Sequence, residues 1–427
     1  MINDSVWLSI LLMAVAFVVT NLVYPHVLGF ARKHNVVDNP NARKLQRVPV
    51  PVMGGTSVFI GLLVTTIVGS IVLGNLELFE VLAILAVMYA IGTWDDVKDV
   101  PASLRFVVEL FVVWAIIIVF NLEINDFHGL WGINKIPESI SIPLSLIAGV
   151  GIINGVNLID GVDGYCSSYG VMACVAFAVI FLHAGDMAMF TLALIAIGAV
   201  IPFFFHNVFG VRSKMFLGDG GSLMLGTLLT MFTFNSLDSA SPCAAFARHD
   251  GLSMVALMLA ILAVPVFDTL KVMIYRMARG TSPFSPDKTH LHHMFIEMGF
   301  SHLATSGIIV MCNALIVGLL TVCWQLRMPV NGQFYVVVGV SILFTSGLYF
   351  FMEKHKRMND GDGSVFYQRL CRHGKGTNIT TTSFWKFLKK IVDSRFLGGK
   401  RVASVDADAL DAALAEDNPT GIDPRIQ

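Results

Sequence analysis

The sequence predicts an all-α polytopic membrane protein with about eleven transmembrane helices, its N-terminus outside and its C-terminus in the cytoplasm. Three observations lead to this class. Of the 427 residues, 55% are hydrophobic and 14% are charged, and the mean hydropathy is +0.71. Apolar runs of about 20 residues, enough for a helix to cross about 30 Å of hydrocarbon, recur along the chain. Most Lys and Arg residues lie in alternate connections between these runs.

The apolar runs give the predicted helices in order. The first run follows MINDS, which has no positively charged segment before the apolar residues, so we expect a retained helix and not a cleaved signal peptide. The predicted spans are 5–28, 55–74, 78–94, 104–121, 141–157, 164–184, 188–206, 219–236, 252–276, 303–325 and 333–352. Residues 1–352 are therefore expected to form one membrane-embedded domain.

The positive-inside rule sets the orientation. One set of connections carries Arg32, Lys33, Arg43, Lys44, Arg47, Lys98, Arg105, Arg212, Lys214, Arg276, Arg279 and Lys288. The alternate set carries Lys135, Arg248 and Arg327, so the first set is placed in the cytoplasm. The tail, residues 353–427, is then cytoplasmic, basic at first and acidic later. It is either a solvated appendage or a segment resting on anionic lipid headgroups.

Composition also excludes several classes of protein. The six cysteines include no CxxC pair, so neither a disulfide framework nor a thiolate metal site is expected. A net charge of −1 argues against nucleic acid as a partner.

The first polar motif is WDDVKD, residues 94–99, at the end of the third apolar run. On a helix, Asp95, Asp96 and Asp99 crowd within about one turn and repel one another. A divalent cation shared with phosphate oxygens would relieve the repulsion, because hard cations favour carboxylate ligands. An acidic helix end that faces solvent explains the cluster equally well.

The second motif is NGVNLIDGVDG, residues 154–164, a Gly-rich passage between two apolar runs. Asn154, Asn157, Asp160 and Asp163 recur every three residues, so their amide and carboxylate oxygens can share a ligand. The alternative is a polar turn between two helices.

The third motif is FLGDGGS, residues 216–222, just before a predicted helix. Free amides at a helix N-terminus suit phosphate, but Asp219 beside them would repel it unless a metal ion bridges the two. Asp219 as a simple N-cap is the alternative.

A basic motif, RGTSPFSPDKTHLHH, covers residues 279–293. Its Arg279, His290, His292 and His293 favour phosphate or nucleotide binding; a zinc site and a structural loop stay open. Residues 38–55, DNPNARKLQRVPVPVMGG, carry further basic side chains such as Arg47 that can meet phosphate, or that serve only as positive-inside residues.

In this order, DNPNARK with PVMGG, WDDVKD, NGVNLIDGVDG, FLGDGGS and SPFSPDKTHLHH resemble the polyprenyl-phosphate N-acetylhexosamine-1-phosphate transferase family over roughly residues 5–350. The resemblance implies that residues 1–352 are a transferase domain moving a sugar 1-phosphate from a UDP-sugar to undecaprenyl phosphate. It also implies a requirement for Mg²⁺, with Mn²⁺ as a substitute. The expected partners are the UDP-sugar, the lipid phosphate and the membrane, with a homodimer as one assembly to test.

The resemblance also implies roles for single residues. Asp95 and Asp96 would be the catalytic pair, and Asn157 and Asp219 the metal ligands. The substrate-binding residues would be Arg47, Asp99, Asp160, Asp163, Phe216, Arg279, His290, His292 and His293.

The histidine motif narrows the expected donor. Leu291 interrupts the histidines, whereas the peptidoglycan-precursor branch carries consecutive ones, so the chain looks like the bacterial branch that uses UDP-N-acetylglucosamine. That branch starts lipopolysaccharide O-antigen, enterobacterial common antigen or teichoic acid chains in the inner membrane, with the active site facing the cytoplasm. The alternatives are a UDP-N-acetylmuramoyl-pentapeptide phosphotransferase and a membrane transporter. The acids lie at loop ends on one side and no inverted repeat is visible, which argues against transport.

Overall fold

A computed structural model describes residues 2–39, 49–74, 77–282, 289–358, 364–377 and 383–394. The described residues are mainly helical, with two short hairpins as the only sheet among them, which confirms the predicted all-α class. Its first eight helices are α1 (Ile2–Lys33), α2 (Gly54–Leu73), α3 (Glu77–Lys98), α4 (Ala102–Phe120), α5 (Glu138–Leu158), α6 (Tyr165–Ala184), α7 (Met187–Phe209) and α8 (Gly218–Leu237). The others are α9 (Pro242–Asp250), α10 (Met254–Ile261), α11 (Ala263–Ala278), α12 (Leu291–Glu297), α13 (His302–Gln325), α14 (Val330–Ile342), α15 (Leu348–Arg357), α16 (Val365–Lys375) and α17 (Ser383–Asp393).

Two short antiparallel hairpins complete the described structure. They are formed by β1 (Val37–Asp38) with β2 (Val50–Pro51), and by β3 (Asp126–Leu130) with β4 (Ile133–Lys135). A π-helical turn, Leu343–Gly347, joins α14 to α15, so the last membrane-crossing segment is continuous from Val330 to Arg357.

Across the described ranges, nine helices are long and apolar enough to cross a membrane, or ten if α9 and α10, bent by 111°, form one span. This number is lower than the expected count of about eleven, which is therefore not confirmed. One reason is α8, which is buried at every position except Asp219. It faces protein and not lipid, so it can carry Thr227, Thr230 and Thr233, whose hydroxyls donate to carbonyls four residues earlier at 2.8–2.9 Å.

The predicted span 252–276 is broken into α10 and α11 at Leu262. Pro265 has no N–H to donate to the carbonyl of Ile261, so the helical ladder fails there. Asn313 on α13 donates to that carbonyl at 3.0 Å, and the hydroxyl of Tyr169 donates to it at 3.1 Å. The break is thus satisfied by side chains from neighbouring helices, as backbone inside a membrane protein requires.

The two ends of the helix bundle carry different groups of residues. At one end, Trp131 of the β3–β4 hairpin region donates its backbone N–H to Asn331 at 2.7 Å, and Arg248 pairs with Asp126 at 3.0 Å. The polar motifs meet at the opposite end, around the start of α8, which packs against α2, α3 and α5.

Candidate active site

The N-terminus of α8 is the centre of the site. Asp96, at the end of α3, accepts the backbone N–H of Asp219 at 2.8 Å and that of Gly220 at 3.1 Å. The amide of Gly218, one residue earlier, contacts the Asp160 carboxylate. The first turn of α8 therefore holds two carboxylates, as its positive dipole end favours. The expectation of free amides ready for phosphate is wrong, because Asp96 already occupies them.

Two glycines allow α3 and α8 to approach closely enough for Asp96 to reach the amides of α8. A Cβ on Gly92 of α3 would lie 2.4 Å from the carbonyl oxygen of Asp219, and one on Gly220 would lie 2.4 Å from the hydroxyl of Thr93. Without those Cβ atoms the backbones of α3 and α8 touch. Since Asp96 lies one turn beyond Gly92 on the same face, close packing brings its carboxylate to the amides of α8.

Arg105, near the start of α4, links the acidic side chains to one another. Its Nη1 lies 3.1 Å from Oδ2 of Asp95 and 3.8 Å from Oδ2 of Asp219, and its Nε lies 3.5 Å from Oε1 of Glu109. Asp95 also accepts the backbone N–H of Val100 at 2.7 Å. The sequence analysis treated Arg105 only as a positive-inside residue, so its place in the site was missed.

Glu109 was missed as well. It lies within a membrane-crossing helix, is 1% exposed, and accepts a hydrogen bond from the amide of Asn154. Two signals were available in the sequence: an ionisable residue inside an apolar run is commonly functional, and Arg105 stands four residues before it.

The predicted metal ligands are neighbours. The amide nitrogen of Asn157 donates to Oδ1 of Asp219 at 2.5 Å and to the hydroxyl of Ser222 at 2.9 Å. The Asp219 side chain is 35% exposed, so it is open to a ligand. Within the described ranges, no three His, Cys, Asp or Glu side chains converge into a complete metal cage.

The two aspartates of the α5–α6 loop differ in character. Burial raises the pKa of Asp160 well above its usual range, and the charges of Asp219, Asp96 and Asp163 raise it further. For Asp163, burial also acts to raise the pKa, but Lys214 at 2.6 Å and His302 at 2.9 Å outweigh it and hold the pKa below the usual range. Asp163 is thus an ionised residue that holds the loop through Lys214 and His302. Asp160 instead lies among carboxylates whose negative charges oppose its ionisation.

Phe216 lies in the segment that leads into α8. Its backbone N–H donates to the carbonyl of Pro51 at 2.8 Å, and its carbonyl accepts from Gly54 at 2.8 Å, so the start of α2 is tied to the FLGDGGS motif. Its ring lies 6.0 Å from Nζ of Lys214, the partner of Asp163. Phe216 and the α5–α6 loop are therefore linked through one lysine.

Asp268 on α11 organises the histidine motif. It accepts from Nδ1 of His290 at 2.9 Å, from Nζ of Lys271 at 2.6 Å, and from the backbone N–H of Leu291 at 3.2 Å. The carboxylate thereby holds both the ring of His290 and the start of α12. The sequence analysis assigned no role to Asp268 or Lys271. As with Glu109, ionisable residues inside an apolar run were an available signal, but the local sequence gave no hint of the distant partner His290.

His292 faces the α5–α6 loop. Its Nε2 would lie 3.3 Å from a Cβ on Gly161, and its ring stands edge-on to Tyr165 at 5.9 Å. Burial, followed by the charges of His293 and His290, lowers the pKa of His292 well below its usual range. The folded protein therefore favours the neutral form of His292, which offers a ring nitrogen for hydrogen bonding.

Among the described residues, two predicted substrate-binding residues, Asp99 and Arg279, lie apart from this cluster. Asp99 is exposed just past α3, with a positive φ of 46°. Arg279 is exposed at the end of α11, where its guanidinium lies 4.0 Å from the ring centroid of Tyr275. Arg47, like residues 283–288 of the histidine motif, lies outside the described residues.

Fold and site together define a multi-pass membrane protein with an acidic site at one end of its helix bundle. The profile of the glycosyl transferase family 4 matches residues 78–236, which include Asp95, Asp96, Asn157, Asp160 and Asp219. This match, together with the relatives below, confirms the expected resemblance to the polyprenyl-phosphate N-acetylhexosamine-1-phosphate transferases.

Curated relatives extend the match beyond the profile. The undecaprenyl-phosphate alpha-N-acetylglucosaminyl 1-phosphate transferase of Salmonella typhi is 29% identical over 302 residues, 67% of this chain and 76% of the relative. The protein of the same name from Escherichia coli strain K12 is 29% identical over 310 residues, 70% of this chain and 80% of the relative. A probable undecaprenyl-phosphate N-acetylglucosaminyl 1-phosphate transferase of Bacillus subtilis is 29% identical over 294 residues, 67% of this chain and 78% of the relative.

Proposed function

We propose that this chain transfers N-acetylglucosamine 1-phosphate from UDP-N-acetylglucosamine to undecaprenyl phosphate, giving a lipid-linked pyrophosphate sugar and UMP. The observation that carries the proposal is the cluster of Asp95, Asp96, Asp160 and Asp219 around the start of α8, at the end of a bundle of membrane-crossing helices. The names of the relatives, at 29% identity, supply the substrate class.

The donor set suits a magnesium ion. Mg²⁺ is commonly held by one or two carboxylates together with substrate phosphates and water, and not by a complete protein cage. Asp219 and Asn157 form such a partial site, in which the Asn157 amide would turn its oxygen toward the ion. When bound, Mg²⁺ or Mn²⁺ would neutralise charge on the pyrophosphate of the donor.

The proposed chemistry is a direct in-line displacement. An oxygen of the lipid phosphate attacks the β-phosphorus of the UDP-sugar, the bond from that phosphorus to the bridging oxygen breaks, and UMP leaves with the bridging oxygen. A phosphate monoester has a second pKa of about 6, so the acceptor is largely ionised at neutral pH and needs little base. The main obstacle is repulsion between anions, which Arg105 helps to reduce beside Asp95 and Asp219.

The contacts of the proposed catalytic pair support direct attack over a covalent aspartyl phosphate. Both oxygens of Asp96 accept backbone N–H groups of α8, and Asp95 accepts from Val100 and Arg105. Carboxylates engaged in this way are better placed to orient groups than to act as nucleophiles. Asp95 would position Arg105 toward the acceptor phosphate or remove a residual proton. Labelled phosphate trapped on Asp95 or Asp96 would contradict this mechanism.

The uridine end of the donor is assigned to the α5–α6 loop. Asp160, Phe216 and the neutral ring of His292 lie around this loop, while Asp163 holds it in place through Lys214. The remaining histidines, His290 and His293, would lie on the side of the nucleotide phosphates. The proposed location is the bacterial inner membrane with this end of the bundle in the cytoplasm, where the product would start a cell-surface polysaccharide.

A donor-competition assay tests the proposal. Purified protein is supplied with undecaprenyl phosphate, Mg²⁺ and either UDP-N-acetylglucosamine or UDP-N-acetylmuramoyl-pentapeptide, and UMP release is measured. We expect turnover of the first donor. Turnover of the second alone would assign the chain to the peptidoglycan-precursor reaction, and no turnover of either would favour the transporter alternative.

A matched pair of variants ties the activity to the site. Asp219→Asn should abolish metal-dependent UMP release, because it removes the proposed carboxylate ligand. Asp250→Asn, in α9 at the opposite end of the bundle with its carboxylate 37% exposed, should retain it. Equal activity in both variants would contradict the assignment of Asp219.

A further inference from the structure

The end of α17 is bound to the loop that follows α7. Asp393, which is 7% exposed, accepts four hydrogen bonds from this loop. Its Oδ2 accepts the backbone N–H groups of Val211 at 3.1 Å and Arg212 at 3.2 Å. Its Oδ1 accepts the N–H of Ser213 at 3.0 Å and the hydroxyl of Ser213 at 2.7 Å. Three consecutive amides that converge on one carboxylate form an anion nest.

Other contacts fix the same loop and helix. Trp385 of α17, 4% exposed, packs against Phe209 with 5.0 Å between ring centroids. On the α1 side, the Tyr24 hydroxyl donates to the carbonyl of Ser213 at 2.8 Å, and Arg32 donates to the carbonyl of Arg212. Helix α17 is thus packed on the bundle through Trp385 and Asp393, an arrangement that neither sequence-based alternative for the tail had included.

The loop leads directly into the candidate site. Lys214, the residue after Ser213, pairs with Asp163 at 2.6 Å. Asn207 accepts the N–H of Gly164 at 2.7 Å and donates to the carbonyl of Met215 at 3.0 Å. Segment 210–216 and the α5–α6 loop are therefore joined by an ion pair and hydrogen bonds. Asp393 holds the far side of segment 210–216, together with Tyr24 and Arg32.

We propose that Asp393 is a positioning residue: through segment 210–216 it sets the placement of Lys214 and the α5–α6 loop, and thereby the affinity for the nucleotide sugar. This inference rests on the proposed function for its kinetic part. The sequence analysis placed no chemistry in the tail, and the aspartate acts here through backbone amides that lie about 180 residues earlier in the chain.

Asp393→Asn tests the inference in the full-length protein. Asparagine keeps the size, but its NH₂ group replaces one oxygen and would face backbone donors, so part of the nest is lost. Hydrogen–deuterium exchange is measured by mass spectrometry at amides 211–213 and at 160–164. We expect faster exchange in both segments. With UDP-N-acetylglucosamine, we expect KM to rise by about tenfold, equivalent to one charge-assisted hydrogen bond, and kcat to change much less.

The control is Ser394→Ala, at the neighbouring residue, whose exposed hydroxyl donates to the carbonyl of Ile391 at 2.7 Å. It should leave exchange and KM as in the wild type. If Asp393→Asn does not fold, Ser213→Ala removes the 2.7 Å hydroxyl bond alone and should give a smaller change in the same direction.

Unchanged exchange at 211–213 would overturn the inference. So would faster exchange confined to 211–213 together with an unchanged KM, because the loop would then not position the site. If the wild-type protein turns over no UDP-sugar, the proposed function fails, but exchange at 160–164 still decides whether Asp393 positions the α5–α6 loop.

Discussion

Replacing Gly92 by alanine should separate α3 from the start of α8. The new Cβ would lie 2.4 Å from the carbonyl oxygen of Asp219 and 2.6 Å from the nitrogen of Gly220, and both atoms belong to the backbone. Ordinary van der Waals contact begins at 3.4 Å, so the helices must move apart by about 1 Å. Backbone atoms cannot rotate away as the tip of a flexible side chain can.

The displacement reaches Asp96 directly. Its bonds to the amides of Asp219 and Gly220, now 2.8 and 3.1 Å, would lengthen to about 3.8 and 4.1 Å and cease to be hydrogen bonds. Overpacking of this kind costs about 1–3 kcal/mol of stability. A misplacement of about 1 Å among groups that orient a reaction lowers the rate by roughly 100-fold.

The assay combines thermal unfolding in detergent with UMP release. The matched control is Gly151→Ala in α5, where a Cβ would meet nothing within 4 Å. That variant should be as stable as the wild type or more stable by up to about 1 kcal/mol, because alanine is the better helix former. If Gly92→Ala unfolds at the wild-type temperature and keeps wild-type turnover, the close contact between α3 and α8 is not what positions Asp96.

Three further predictions concern ionisable groups of the site. Arg105→Lys keeps the charge but loses the planar fork that reaches Asp95, Glu109 and Asp219, so thermal unfolding should show a loss of about 1–2 kcal/mol and UMP release should fall. The pKa of Asp163 is held low in the folded protein, so its ionised form contributes stability above about pH 4 that is lost as pH falls further. The unfolding temperature of Asp163→Asn should therefore lie furthest below that of the wild type at pH 7, and the difference should shrink below about pH 4. The pKa of His292 is also lowered, so the folded protein disfavours protonation of this ring. The unfolding temperature of the wild type should therefore fall as pH drops below about 6.5, and that of His292→Gln should fall less.

Each of these predictions has a contrary result. Wild-type stability and turnover in Arg105→Lys would mean that a point charge is sufficient at this position. If the unfolding temperature of Asp163→Asn lies below that of the wild type by the same amount at every pH, the carboxylate contributes packing and not charge. An unaltered pH dependence in His292→Gln would assign the acid sensitivity to other groups.

Much of the site could be predicted because polar residues are conspicuous in an apolar chain. Asp95, Asp96, Asn157, Asp160 and Asp219 stand at the ends of apolar runs, and the structure brings them to one end of the bundle. What they contact there was not predictable from local sequence. The amides that Asp96 accepts lie 123 and 124 residues away, so only the packing of α3 on α8 reveals its capping role.

The number of helices shows a second limit of predicting structure from hydropathy. A protein-facing helix such as α8 need not be as apolar as a lipid-facing one, and the run that contains Pro265 is broken where the ladder loses a donor. Arg105 and Asp393 were missed for a related reason. The positive-inside rule explains any single arginine at the end of a membrane helix, so Arg105 did not stand out. An aspartate in a basic tail gives no sign of the three backbone amides that it accepts.

The most direct test of the central claim follows the β-phosphate of the donor. The protein is incubated with undecaprenyl phosphate, Mg²⁺ and UDP-N-acetylglucosamine labelled with ³²P at the β-position, and the label is traced after separation of lipid from nucleotide. Transfer of the sugar 1-phosphate predicts that the label appears in the lipid pyrophosphate and that the released nucleotide is unlabelled UMP. Label recovered in released UDP would show transfer of the sugar without its phosphate and would contradict the proposed reaction.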